Sequence, residues 1–106
     1  MGINKVILSG KLAREPQLDY KPTGPVTQLD VVCTCGQMGA DGKWNKSETT
    51  IPVLVKGKTA ERIAGWFNAG MAVEVEGSLY GFSFGSAGRT AKGCAVLAHR
   101  VNKQGG

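Results

Sequence analysis

Tyr80, Phe82 and Phe84 recur at every second position of Tyr80-Gly81-Phe82-Ser83-Phe84-Gly85. In an extended strand that spacing puts all three rings on one face. Ser78, Glu76 and Glu74 continue that face backwards, whereas Val73, Val75, Gly77 and Leu79 form the opposite, apolar one. The rings therefore extend a polar face, where water is otherwise expected. Two partners fit such a row: the bases of a single-stranded nucleic acid, which stack on flat rings whatever their identity, or a neighbouring subunit. Trp44 is a further stacking candidate, flanked by Lys43 and Lys46 in a polar stretch, with packing on its own domain as the alternative. Candidate phosphate contacts are Lys5, Lys11, Arg14, Lys43, Lys46, Lys56, Lys58, Arg89 and Lys92. Each real contact steepens the salt dependence of binding, while any of these side chains could equally be a solvated surface cation. Arg62 and Arg100 are set aside, because the sequence does not fix which way their elements face.

Other chemistries find less support. Cys33 and Cys35 would share one face of a strand, here the apolar face, and zinc calls for about four ligands at turn-friendly spacing. Cys94 and His99 are the other sulfur and imidazole groups, and they lie on a different strand. The cysteines read as small buried apolar residues, and His99, alternating with Leu97 and Val101, as a core or interface imidazole. No Ser/His/Asp set or carboxylate pair has a catalytic spacing. Gly85-Ser86-Ala87-Gly88-Arg89-Thr90 lacks the Gly-Lys-Ser/Thr ending of a phosphate-binding loop. No enzyme activity, metal or cofactor is expected.

A chain of 106 residues suits one domain. With 42% hydrophobic and 20% charged residues it has the composition of a folded protein. Thirteen Lys and Arg against eight Asp and Glu give a net charge of +5, which favours a polyanionic partner or simply solubility. Three cysteines do not suggest a disulfide scaffold. The opening Met-Gly-Ile-Asn-Lys-Val has no apolar signal-peptide core, and no apolar run reaches the length of a membrane span, so a reducing interior, cytoplasmic or organellar, is expected.

The elements that must position these residues follow from pattern. Lys5–Leu12 reads as a strand, with Gly10 marking a bulge or a close backbone approach. Arg14–Pro25 reads as a connection punctuated by Pro16, Pro22, Gly24 and Pro25. Val26–Cys35 alternates, with Thr27, Leu29, Val31, Cys33 and Cys35 on one face. Gly36–Ser47 is a polar loop around Asp41-Gly42. Thr49–Lys56 is a strand with Ile51, Val53 and Val55 inward and Pro52 on the other face. Thr59 caps a helix whose apolar face is Ala60, Ile63, Ala64 and Phe67 and which Gly70 ends. Trp66 and Phe67 are read as core or barrel cap. Ala72–Phe84 and Lys92–Val101 are strands around a Gly85–Gly88 turn, and residues 104–106 form a flexible end. The chain is thus expected to be all-β: a single OB-fold domain over residues 1–103, a five-stranded Greek-key barrel with one helix between strands 3 and 4.

Several segments then carry a resemblance. Asn4-Lys5-Val6-Ile7-Leu8-Ser9-Gly10-Lys11-Leu12, Glu15-Pro16-Gln17-Leu18-Asp19-Tyr20 and Thr23-Gly24 resemble the opening of bacterial-type single-stranded DNA-binding proteins. Gly57-Lys58 with Ala60-Glu61 is similar to that family's entry into its helix. Gly70 with Val73-Glu74-Val75-Glu76-Gly77-Ser78-Leu79 is similar to its fourth strand. The similarity runs over roughly residues 3–101, and the order and spacing of these short motifs carry it. It implies an OB-fold, self-association (commonly a homotetramer), sequence-tolerant binding of single-stranded DNA in replication, recombination and repair, and replication or repair proteins as further partners near the nucleoid. The chain departs from the family in its aromatics. Met38 and Thr50 stand near two usual tryptophans, and Lys56 replaces an aromatic before the Gly-Lys pair. Phe84 falls near a usual stacking position, whereas Tyr80 and Phe82 stand where basic residues are more common. The acidic, Phe-ended tip of the family is not in this sequence. Primosomal replication protein B, a dimeric OB-fold relative with fewer aromatic sites, is the alternative the resemblance leaves open.

Overall fold

A computed structural model describes the backbone of residues 2–86 and 89–104, and the side chains of these other than 82–92. Its elements are β1 (Val6–Leu12), β2 (Gln17–Lys21), β3 (Gly24–Met38), β4 (Trp44–Lys56), α1 (Lys58–Trp66), β5 (Ala72–Ser86) and β6 (Arg89–Lys103). The sheet order is β1-β5-β6-β4-β3-β2, and a further β1–β3 pairing closes five of the strands into a barrel. This is the expected five-stranded OB-fold with its single helix. The short β2 is an addition, hydrogen-bonded to β3 outside the ring.

Closure occurs where Lys11 and Leu12 pair with Val32 and Val31. Gly10 allows it, because a Cβ there would run into the backbone carbonyl of Val32. The expected close approach is thus real, and its partner is β3. Inside the ring lie Leu12, Leu29, Val31, Val53, Val55, Val73, Val75, Val96 and Val101, joined by Ala60 and Ile63 of the helix. Thr27 is buried among them and satisfies its hydroxyl by donating to the Gln17 carbonyl at 2.7 Å. The inward alternation expected for Thr27–Val31 and for Val53 and Val55 holds.

Four local expectations change. The Arg14–Pro25 connection contains β2, because its Pro and Gly residues form a two-residue hairpin turn at Pro22-Thr23, with Lys21 opposite Gly24. The polar stretch 36–47 is mostly strand: pairing runs on to Met38–Trp44, and the turn is confined to residues 39–43. Here both faces of the ribbon meet water, so no apolar alternation marks it. Thr59 does not cap the helix. Gly57 does, at φ 76°, a left-handed conformation suited to glycine, with its N–H donating to the Pro25 carbonyl at 2.9 Å. The helix ends at Trp66, before Gly70, whose N–H donates to Leu12 O at 2.8 Å in the following turn.

Burial also departs from expectation at five side chains. Phe67 packs on the core, but Trp66 is 76% exposed, because Ala60, Ile63 and Phe67 already occupy the buried face of the helix. Leu79, on the apolar face of β5, is 54% exposed: it lies past the register shift at Glu76/Gly77, where the strand leaves the barrel. Cys33 is only partly buried and Cys35 is exposed, for the same reason on β3. Burial of Cys33, aided by the nearby Cys35, raises its thiol pKa above the ordinary range. His99 is exposed in the β6 bulge, its ring Nε2 3.4 Å from Ser78 Oγ.

Candidate nucleic-acid interface

The outer face of the barrel collects the candidate residues through strand register. Directly paired residues point to the same side of a sheet. Along β3 and β4 the outward pairs are Met38–Trp44, Gly36–Lys46, Thr34–Glu48, Val32–Thr50, Asp30–Pro52, Gln28–Leu54 and Val26–Lys56. Lys11 joins this face through Val32. Leu54 lies beside Leu97 of β6, which pairs with Ser78 of β5, and Tyr80 follows opposite Ala95. One continuous outer surface therefore links Trp44, Lys46, Lys56 and Lys11 with the β5 stripe.

β4 and β6 are parallel, with Val53 beside Val96. Both long hairpins consequently project from the same end of the barrel. Past that pairing, residues 44–52 reach roughly 30 Å and residues 80–86 roughly 23 Å, at ~3.3 Å per residue. The arms explain a Cα radius of gyration of 15.7 Å, against about 13 Å for a compact chain of this length.

Trp44 is not a loop residue; it opens β4 and is 60% exposed. Its indole lies across Gly36, two residue pairs back toward the barrel. A Cβ on Gly36 would sit 2.8 Å from the indole Nε1 and 2.7 Å from Cε2. The ring thus has one side on glycine backbone and remains largely open to solvent. Tyr80 is 44% exposed on the outer face of β5. Phe82 and Phe84 pair through their backbones with Gly93 and Ala91. Their side chains, and those of Arg89 and Lys92, lie outside the described residues.

The cations fall into two sets. Lys5 lies 3.5 Å from Glu76 Oε1, and Arg14 Nε lies 2.6 Å from Asp30 Oδ2. Asp30 also accepts a hydrogen bond from Gln28 Nε2 at 3.0 Å. Arg14 is thereby held by one edge of its guanidinium. Lys11, Lys43, Lys46, Lys56 and Lys58 have no ion pair among the described residues and are exposed. Two open grooves notch the outer face. One, about 340 Å³, is lined by Arg14, Gln17, Asp19, Lys21, Gln28 and Leu54. The other, about 390 Å³, lies between β1 and the β3–β4 ribbon, with Lys11, Thr34 and Glu48 in its wall. Gln17, Lys21 and Gln28 escaped the sequence reading, since recognising them requires β2 to be a strand. Asp19 in the first groove is held below the ordinary carboxylate range by its hydrogen bond to Lys21, 2.9 Å away, and by that residue's charge. Among the described residues no group of three or more His, Cys, Asp or Glu is placed to hold a metal ion, and no helix is long and apolar enough to cross a membrane.

Residues 3–101 match the model of the single-strand binding protein family. The chain belongs to this family. It is 33% identical over 78 residues to the single-stranded DNA-binding protein of Clostridium tetani, an alignment covering 73% of this chain and 52% of that one. With the single-stranded DNA-binding protein of Aquifex aeolicus it is 28% identical over 100 residues, 93% of this chain and 68% of the relative. A crystal structure of a deletion variant of the single-stranded DNA-binding protein from Thermus aquaticus shares the fold, with a TM-score of 0.85 at 24% identity, covering 99% of this chain and 52% of that one. The chain thus spans about half the length of the Clostridium relative and of the Thermus structure.

Proposed function

We propose that this chain is a sequence-tolerant, non-enzymatic single-stranded DNA-binding protein that coats and protects DNA during replication, recombination and repair. The observation that carries the reading is the outer face itself: exposed rings at Trp44 and Tyr80, exposed Lys11, Lys46 and Lys56 with no ion pair among the described residues, and two arms extending that face from one end of the barrel. Membership of the family and the similarity to the single-stranded DNA-binding proteins of Clostridium tetani and Aquifex aeolicus support it. Rings stack on any base, and lysines read phosphate without reading sequence, so the surface suits a partner of arbitrary sequence. Trp44, Tyr80, Phe82 and Phe84 are the stacking groups. Lys5, Lys11, Arg14, Lys43, Lys46, Lys56, Lys58, Arg89 and Lys92 are the phosphate contacts. A nucleoid-associated, cytoplasmic setting and contacts with replication or repair proteins belong to the same reading.

Self-association, as a homotetramer with a homodimer as the alternative, is supported by β1. Beyond the closure with β3 at Gly10–Leu12, its Val6–Ser9 stretch pairs, among the described residues, with β5 alone and leaves one edge open. Ile7 is 61% exposed there. An open edge beside exposed apolar side chains invites pairing with a second copy. Titration with oligo(dT) at low salt tests the DNA reading. Quenching of tryptophan emission and a mobility shift, both weakening as salt rises, are the expected result. Unchanged emission and mobility would reject it.

A further inference from the structure

The exposed Trp66 lies at the opposite end of the barrel from the arms. It lines an open groove of about 340 Å³ with Arg62, Phe67, Val101, Asn102 and Lys103. Phe67 and Val101 give the groove an apolar floor, and the indole stands at its rim, 76% exposed. The charged lining residues are both cations, and neither Arg62 nor Lys103 has an ion pair among the described residues. On the helix, Lys58, Arg62 and Trp66 follow one another at i, i+4 and i+8, so they form one stripe, about 6 Å of rise per step. Glu61 lies on the far flank of that stripe and does not line the groove. The stripe starts where the outer face of β4 ends, since Lys56 points outward and is separated from Lys58 only by Gly57. A row of cations thus runs from Lys56 at the end of β4, by way of Lys58, to Arg62, and ends on an exposed ring.

We propose that the Trp66 groove is a second single-stranded nucleic-acid contact site, in which a base stacks on the indole while Arg62 and Lys103 hold its flanking phosphates. The inference rests on the DNA-binding reading above and extends the strand's track from the arms past the lower end of the barrel. The occupant is chosen by charge: a polyanion with flat, uncharged bases matches two unpaired cations bracketing an aromatic rim.

The protein's two tryptophans are separate reporters. Trp44→Phe leaves Trp66 emitting, and Trp66→Phe leaves Trp44. The probe is an oligo(dT) of about 40 nucleotides, longer than the ~4–16 that one OB fold covers. Salt-sensitive quenching of Trp66 in the Trp44→Phe protein is the expected result. Replacing Arg62 and Lys103 together by alanine should flatten the plot of log K against log salt by about 1.4, at ~0.7 for each phosphate contact on a single strand. If the wild-type protein shifts in a gel while Trp66 emission stays constant and the slope is unchanged, the second site is wrong and the DNA-binding reading survives. Such an outcome would leave the groove to a protein partner. If neither tryptophan responds and no shift appears, the reading and the inference fall together.

Discussion

At the scale of single residues, Trp44 and Gly36 act as a pair. The indole rests where any side chain on Gly36 would stand, so glycine fixes the ring's orientation as well as its exposure. Trp44→Ala should weaken oligo(dT) binding by roughly 1–3 kcal/mol, the usual range for one stacked base, as read by fluorescence anisotropy of a labelled oligonucleotide. Gly36→Ala should shift the Trp44 emission spectrum and weaken binding in the same direction while leaving the thermal midpoint nearly unchanged, because the arm lies outside the core. The cysteines offer a second residue-scale test. Burial disfavours the Cys33 thiolate, whereas Cys35 and Cys94 are exposed. Alkylation followed by mass spectrometry should label Cys35 and Cys94 first and Cys33 last, with the lag shrinking as pH is raised; equal rates at all three would contradict the burial. Trp66 shows why such details escape a sequence. Its neighbour Phe67, just past the helix end, packs against the core and Trp66 does not, a difference that hydrophobicity alone does not resolve.

At the scale of elements, the barrel depends on close approaches as much as on alternation. Gly10 passes against the Val32 carbonyl at the point of closure. Backbone cannot swing aside as a side chain can, so Gly10→Ala should cost about 1–3 kcal/mol, as overpacking typically does, visible as a lower urea midpoint. An unchanged midpoint would mean that β1 and β3 close with more room than this geometry allows. Elements with one face in the core were legible from their residues: β1, the inner half of β3, β4 from Thr49, the helix, and the start of β5. The parts that were not legible each have a physical cause. Polar stretch 36–47 belongs to a ribbon wet on both faces, so nothing in the hydrophobic pattern records the strand. β2 is short, and its proline- and glycine-rich flanks dominate its appearance. Cap positions depend on backbone angles, which is why Gly57 displaced Thr59.

At the scale of the whole molecule, the proposed function rests on the open edge of β1 and the two arms. If the Val6–Ser9 edge is the self-association surface, Ile7→Lys should lower the mass seen by sedimentation velocity, since like charges would face one another across the new pairing. A mass unchanged by that substitution would place the contact elsewhere. Under the proposed function the arms carry stacking groups far from the barrel's centre, so a strand crossing the outer face would gain contact length without a larger core.

The amino-acid order alone determined the barrel, its single helix, the inward residues of the strands where they line the core and the family, because burial leaves a periodic trace in any chain that must cover one face. It also nominated Trp44 and the Tyr80 stripe, since rings on a polar face stand out without coordinates. Only the tertiary structure decided that both hairpins leave the same end of the barrel, that Trp44 lies on Gly36, and that Trp66 faces solvent between two cations. Those facts depend on which strands become neighbours and in what register. Such pairings join residues far apart in the chain, and local pattern does not encode them.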